Sequence, residues 1–250
     1  MNINPLFILP NLFTAGGIFC GIVSIMLASN TRFELAAWLI VLAMVFDGLD
    51  GRVARLTHTT SKFGVEFDSL ADIVAFGVAP AMLLYYYIPQ IGSSYGFDGD
   101  YGLYRIFVCA LFVIFGAIRL ARFNVTTSNT EPNTFIGLPI PSAAVILVLW
   151  ILLDLRYGFL APKFSYALLI LAFLLSILMV SNIRYPSFKK LRWNLKLFVI
   201  LLIALAAIIS SKFYVEIFCA LLSGYMLYGI IRFIVLMCKV LLKKCQKTNN

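Results

Sequence analysis

Apolar runs of about twenty residues recur along almost the whole chain, and that is the length an α-helix needs to cross the hydrocarbon of a bilayer. Eight such stretches lie near residues 8–29, 33–55, 64–88, 104–124, 138–155, 163–182, 196–211 and 213–231. A backbone surrounded by lipid must satisfy its own hydrogen bonds, so long runs of this kind restrict the chain to helices. Composition agrees: 62% of residues are hydrophobic and 12% are charged, about half the charge of a soluble domain. The expected fold is an all-α integral membrane bundle of about eight transmembrane helices. The seventh stretch is short, and the eighth is expected to run on past Arg232 as an interfacial helix.

An even number of crossings puts both termini on one side. Counted by side, 15 of the Lys and Arg residues fall with the termini and 5 fall opposite. Basic residues collect in cytoplasmic loops, so both termini are expected in the cytoplasm, with the chain in the inner (cytoplasmic) membrane. The formal net charge of +9 then reads as loops facing anionic lipid. No basic–aromatic stripe points to a nucleic-acid partner. The loop "PQIGSSYGFDGDYGLY" is polar and Gly-rich, as an external loop would be. Cys20, Cys109, Cys219, Cys238 and Cys245 form no C-x-x-C pair, and most lie in apolar runs, so they read as small buried hydrophobes. The expected division is a membrane domain over 1–190 and a two-helix extension with a basic tail over 191–250.

Residues 47–72, "DGLDGRVARLTHTTSKFGVEFDSLAD", hold five of the 11 acidic residues between two apolar runs. Carboxylates beside hydrocarbon are costly unless something compensates them. Asp47 and Asp50 share one helix face, which Gly51 and Arg55 continue. Gly64, Asp68 and Asp72 recur at spacings of four on the next helix. The short connection makes these helices antiparallel neighbours, so the two stripes face each other near the cytoplasmic surface. Four converging aspartates suit a hard divalent cation such as Mg²⁺ or Mn²⁺, as one ion or two. Gly51 and Gly64 open a slot along the same stripes, and Arg55 offers a fork for a phosphate oxygen. Metal, arginine and slot together describe a diphosphate site. The bland alternative, an interfacial salt-bridge network, explains a lone D-x-x-D better than it explains two matched stripes.

Asp47, Asp50, Gly51, Ala54, Arg55, Gly64, Asp68 and Asp72 match every position of D-x2-D-G-x2-A-R-x8-G-x3-D-x3-D, and in this the chain resembles the CDP-alcohol phosphotransferases. Members are membrane enzymes with a helical core of six crossings, usually homodimers, that pass a phosphatidyl-type group from a CDP-linked lipid to an alcohol and release CMP. The resemblance implies that Asp47, Asp50, Asp68 and Asp72 are metal ligands and that Asp72 is also the general base. It implies that Gly51, Ala54 and Gly64 form the cytidine slot, with Arg55 on the nucleotide or phosphate. Asn11 and Thr14, in "PNLFT", open the first helix plausibly as a cap, and the resemblance places them near the nucleotide.

The segments "RLARFNV", "FIGLPIPSAA" and "MVSNIRYPSFKK" are similar to those of the membrane-embedded phosphatidylserine synthase subgroup, which implies CDP-diacylglycerol as donor and L-serine as acceptor. Serine carries a carboxylate that wants a cation. Arg119 and Arg122, three apart at a cytoplasmic helix end, are candidates, with Arg184 and Lys189 behind them. Asn124 is a candidate for the ammonium or hydroxyl. Such arginines also commonly anchor helices to lipid headgroups. His58 reads as an ordinary loop residue. Rival readings are a family member using glycerol 3-phosphate or an inositol phosphate, an Asp-rich prenyltransferase, and a divalent-cation transporter. The transporter reading predicts acidic residues along several helices.

Overall fold

A computed structural model of the chain describes residues 8–57, 59, 61–93, 102–126, 134–158, 165–186 and 212–248. The crossing expected near 196–211, His58, Lys189 and residues 94–101 of the expected external loop lie outside them. The helices are α1 (Ile8–Ser29), α2 (Phe33–Leu56), α3 (Lys62–Asp72), α4 (Ala79–Ser93), α5 (Gly102–Thr126), α6 (Ile140–Tyr157), α7 (Ser165–Val180) and α8 (Tyr214–Thr248). A π-helical segment, Ile73–Val78, joins α3 to α4. Two short strands, β1 (Thr134–Ile136) and β2 (Arg184–Pro186), pair antiparallel. Among the described residues, five helical stretches are long and apolar enough to cross a membrane, and a shorter apolar helix spans Tyr166–Val180. The eighth stretch continues unbroken to Thr248, well past Arg232.

Small residues bring α1 and α2 together. Ala28 on α1 and Ala36, Ala37 and Ala43 on α2 are fully buried. Lipid gives helices little hydrophobic reason to associate, so close van der Waals contact between small side chains takes over. A Cβ at Gly16 would stand 3.1 Å from the Phe46 ring, and one at Gly21 would stand 3.0 Å from Ala75 Cα. Gly21 therefore lets α1 touch the backbone of the π segment that directly follows Asp72. Ser24 fastens the pair further by donating to the Ala36 carbonyl at 2.8 Å. The 24 residues of α2 suffice for a crossing, but its last turns carry Asp47, Asp50, Arg52 and Arg55.

Helix α6 is the central element. Nearly every residue from Ala143 to Asp154 is buried, as a helix apolar on all faces should be. Its start is marked by Pro139, an extended N-cap, and by Pro141 in the first turn, where a missing N–H costs no helical bond. Just before it, Gly137 has φ +79°, and a Cβ there would collide with the Met179 carbonyl. Gly137 N–H donates to Ile183 O at 2.8 Å and Leu138 N–H to Leu178 O at 3.0 Å. These bonds fix the strand pair to the end of α7.

The opposite end of the bundle is closed by polar contacts of its own. Arg156 on α6 pairs with Glu216 on α8 at 3.3 Å, and Tyr157 donates to the same carboxylate. The buried Asp154 accepts the Tyr87 hydroxyl at 2.6 Å.

Candidate active site

The acidic residues meet at one end of the bundle, as the stripe argument expects. One oxygen from each of Asp47, Asp50 and Asp68 can be chosen so that all lie within 4.8 Å of one another. Asp72 lines the same small cavity as these three, together with Thr14 and Gly17 of α1. The Asp47 and Asp72 side chains are close enough for their charges to interact. Asp50 and Asp72 are buried, while Asp47 and Asp68 are half-buried. Carboxylate oxygens this crowded are the donor set of a hard divalent cation, so the residues fit such an ion.

Two contacts organise the cluster. Thr14 Oγ1 donates to Asp50 Oδ2 at 2.7 Å, joining α1 to α2. The same hydroxyl lies 3.2 Å from the Pro10 carbonyl. Arg119, on α5, stands within electrostatic range of Asp72 and Asp47 and is 7% exposed. It is a built-in positive charge beside two of the four carboxylates, one cation against four acidic groups.

A cleft of about 200 Å³ opens beside the cluster, lined by Pro10, Asn11, Thr14, Asp50, Gly51, Ala54, Arg55, Thr59, Ser61, Gly64, Val65 and Asp68. The slot expected from Gly51, Ala54, Arg55 and Gly64 is thus present, with Asn11 and Thr14 on its α1 wall. Its end is the N-terminus of α3, where Ser61 is the cap and accepts from Gly64 N–H at 3.0 Å. A Cβ at Gly64 would lie 3.2 Å from Ser61 Oγ and 3.8 Å from Asn11 Oδ1. A helix N-terminus at the end of a cleft favours anions there.

With this geometry in view, the comparisons with known proteins are direct. Residues 7–178 match the model of the CDP-alcohol phosphatidyltransferase family. The chain belongs to that family. It is 53% identical over 244 residues to the CDP-diacylglycerol–serine O-phosphatidyltransferase of Helicobacter pylori strain J99, covering 98% of each chain. It is 36% identical over 218 residues to the Methanocaldococcus jannaschii protein of that name, covering 87% of this chain and 90% of the relative. It is 38% identical over 180 residues to the archaetidylserine synthase of Methanothermobacter thermautotrophicus, covering 71% and 69%.

The arginines expected to bind an acceptor part company within this family fold. Arg119 turns to the aspartates. Arg122 instead donates to the carbonyls of Val180 at 2.8 Å, Ile136 at 3.1 Å, Ser181 at 3.2 Å and Met179 at 3.3 Å. Its guanidinium thereby ties the end of α7 to β1. Arg184 lies on β2 opposite Ile136 and is exposed. Asn124 donates to Ser69 Oγ at 3.0 Å and links α5 to α3. The reading from sequence did not single out Thr59 and Ser61, which also line the cleft. Ser61 was legible in principle, since Ser ahead of a helical pattern is a cap signal.

Proposed function

We propose that this protein transfers the phosphatidyl group of CDP-diacylglycerol to the hydroxyl of L-serine and releases CMP. The observation that carries this reading is the continuity of the acidic cluster with the glycine-walled cleft. The names of relatives that align over nearly the whole chain agree with it.

The cleft receives the CDP headgroup. Gly51, Ala54 and Gly64 leave room for the cytidine, Asn11 and Thr59 supply polar contacts, and Arg55 and the α3 N-terminus face the diphosphate. Asp47, Asp50, Asp68 and Asp72 hold Mg²⁺ or Mn²⁺, which when bound neutralises diphosphate charge. Asp72 takes the serine hydroxyl proton as that oxygen attacks the lipid-bearing phosphorus. A bond from serine oxygen to phosphorus forms, the phosphorus–oxygen bond to CMP breaks, and CMP leaves with the electron pair. Arg119, beside Asp72, attracts the serine carboxylate and sets the acceptor's orientation. Arg122 acts at one remove, by holding the strand pair and the end of α7 in place. The protein works as a homodimer in the cytoplasmic membrane, with the cleft and both termini on the cytoplasmic side.

The test is an acceptor panel. Purified protein in detergent receives CDP-diacylglycerol and Mg²⁺ or Mn²⁺, with serine, glycerol 3-phosphate, inositol phosphate or no acceptor. Serine-dependent CMP release with phosphatidylserine formed is the expected result. Release driven by another acceptor would remove serine from the reading and leave the family chemistry standing. No release with any acceptor, alongside divalent-cation flux in vesicles, would favour the transporter. Against that outcome, the buried Asp154 at the far end is already occupied by Tyr87.

A further inference from the structure

Nε of Arg119, the arginine beside the acidic cluster, and Oη of Tyr185 on β2 are buried donors with no hydrogen-bond partner among the described residues. Arg119 is 7% exposed and Tyr185 is fully buried. Leaving such groups unpaired is costly, and most native structures avoid it, so a pair of them in one region calls for an acceptor from elsewhere. Tyr225 of α8 connects the two. Its ring lies 5.4 Å from that of Tyr185, and it stands within electrostatic range of Arg119. The fit of α8 over this region is close. A side chain at Gly229 would overlap the Tyr185 ring, so this glycine is what lets the helix settle against β2.

Tyr185 and Tyr225 both lie beyond residue 178, where the match to the family model ends. The shared segment supplies Arg119 and the aspartates, while β2 and α8 supply two phenols on the same side. A guanidinium and phenol hydroxyls are donors suited to one carboxylate. In serine that carboxylate sits on the carbon next to the one bearing the hydroxyl. A carboxylate held beside Arg119 would therefore keep the hydroxyl near Asp72, which Arg119 also faces. We infer that Arg119, Tyr185 and Tyr225 form the carboxylate half of the acceptor pocket, and that α8 is thereby part of the active site. This rests on the serine-transferase reading proposed above.

The test compares the wild type with Tyr185→Phe and Tyr225→Phe, each of which removes one oxygen and keeps the ring. Initial rates are measured against serine, against CDP-diacylglycerol, and with serinamide in place of serine. Each variant should raise the KM for serine about tenfold or more, the loss expected for a hydrogen bond to a charged group. The KM for CDP-diacylglycerol should stay within about twofold, and the preference for serine over serinamide should shrink in step. A purely packing role would not move that preference. Unchanged serine KM and unchanged preference in a variant with wild-type melting temperature would overturn the inference while leaving serine as the acceptor. Should Tyr185→Phe not fold, Tyr225→Phe, on a separate element, decides alone. A wild type that ignores serine would instead sink the proposed function, and this pocket with it.

Discussion

Thr14 and Asp50 are 36 residues apart in sequence, yet the threonine hydroxyl reaches the aspartate carboxylate at 2.7 Å. The bond crosses the α1–α2 seam and holds the Asp50 carboxylate at the edge of the cluster. Groups that orient a ligating carboxylate typically matter by about 10–100-fold in metal affinity. Thr14→Val, close in shape, should raise the Mn²⁺ concentration for half-maximal rate by about tenfold. Thr14→Ser should stay near wild type. Metal titrations of initial rate check this, and equal midpoints for all three proteins would refute the orienting role.

Asp72 is 8% exposed and lies within electrostatic range of Asp47, Asp68 and Arg119. Asp72→Asn keeps the shape but removes the base, so transfer should fall by about 10²–10⁴-fold. Folding and much of the CDP-lipid binding should survive. Full activity in a folded Asp72→Asn protein would strip this residue of the base role.

Arg119 and Arg122 are predicted to separate by readout. Arg122→Ala strips a charged donor from the carbonyls at the end of α7 and should cost roughly 3 kcal/mol of stability, seen as a lower melting temperature. Arg119→Ala should chiefly raise the serine KM, since it faces the cluster rather than the backbone. A serine KM that rises equally in both, at unchanged melting temperature, would contradict this division.

Gly137 combines φ +79° with a carbonyl where a Cβ would go. Gly137→Ala should therefore destabilise by more than the roughly 1 kcal/mol of left-handed strain alone. Gly17, whose Cβ would meet nothing within 4 Å, gives the contrasting site: Gly17→Ala should leave the melting temperature nearly unchanged. Thermal melts in detergent distinguish the two.

What could be read from sequence was whatever follows from helical spacing. Asp47 with Asp50, and Asp68 with Asp72, had to share faces, and a short connection had to bring those faces together. Arg119 and Arg122 show the limit of the method. Three residues apart, they look equivalent on a helix, yet one meets carboxylates and the other meets carbonyls contributed more than ten residues away in the chain. Only the path of β1 and the end of α7 separates them. The π segment after Asp72 has no compositional signature, because Ile73–Val78 would read equally well as α-helix. Tyr185 carries no local signal, since nothing in the neighbouring sequence reveals that its buried hydroxyl lacks a partner among the described residues.

The measurement that bears most directly on the central claim is the rate of phosphatidylserine formation against Mn²⁺ concentration, in the wild type and in Asp68→Asn. The account predicts saturable metal dependence in the wild type, no product in excess chelator, and recovery when metal is restored. It predicts that Asp68→Asn shifts the midpoint upward by about tenfold or more, because one ligand oxygen loses its charge. Phosphatidylserine formed at full rate in chelator, or an Asp68→Asn midpoint equal to wild type, would contradict it.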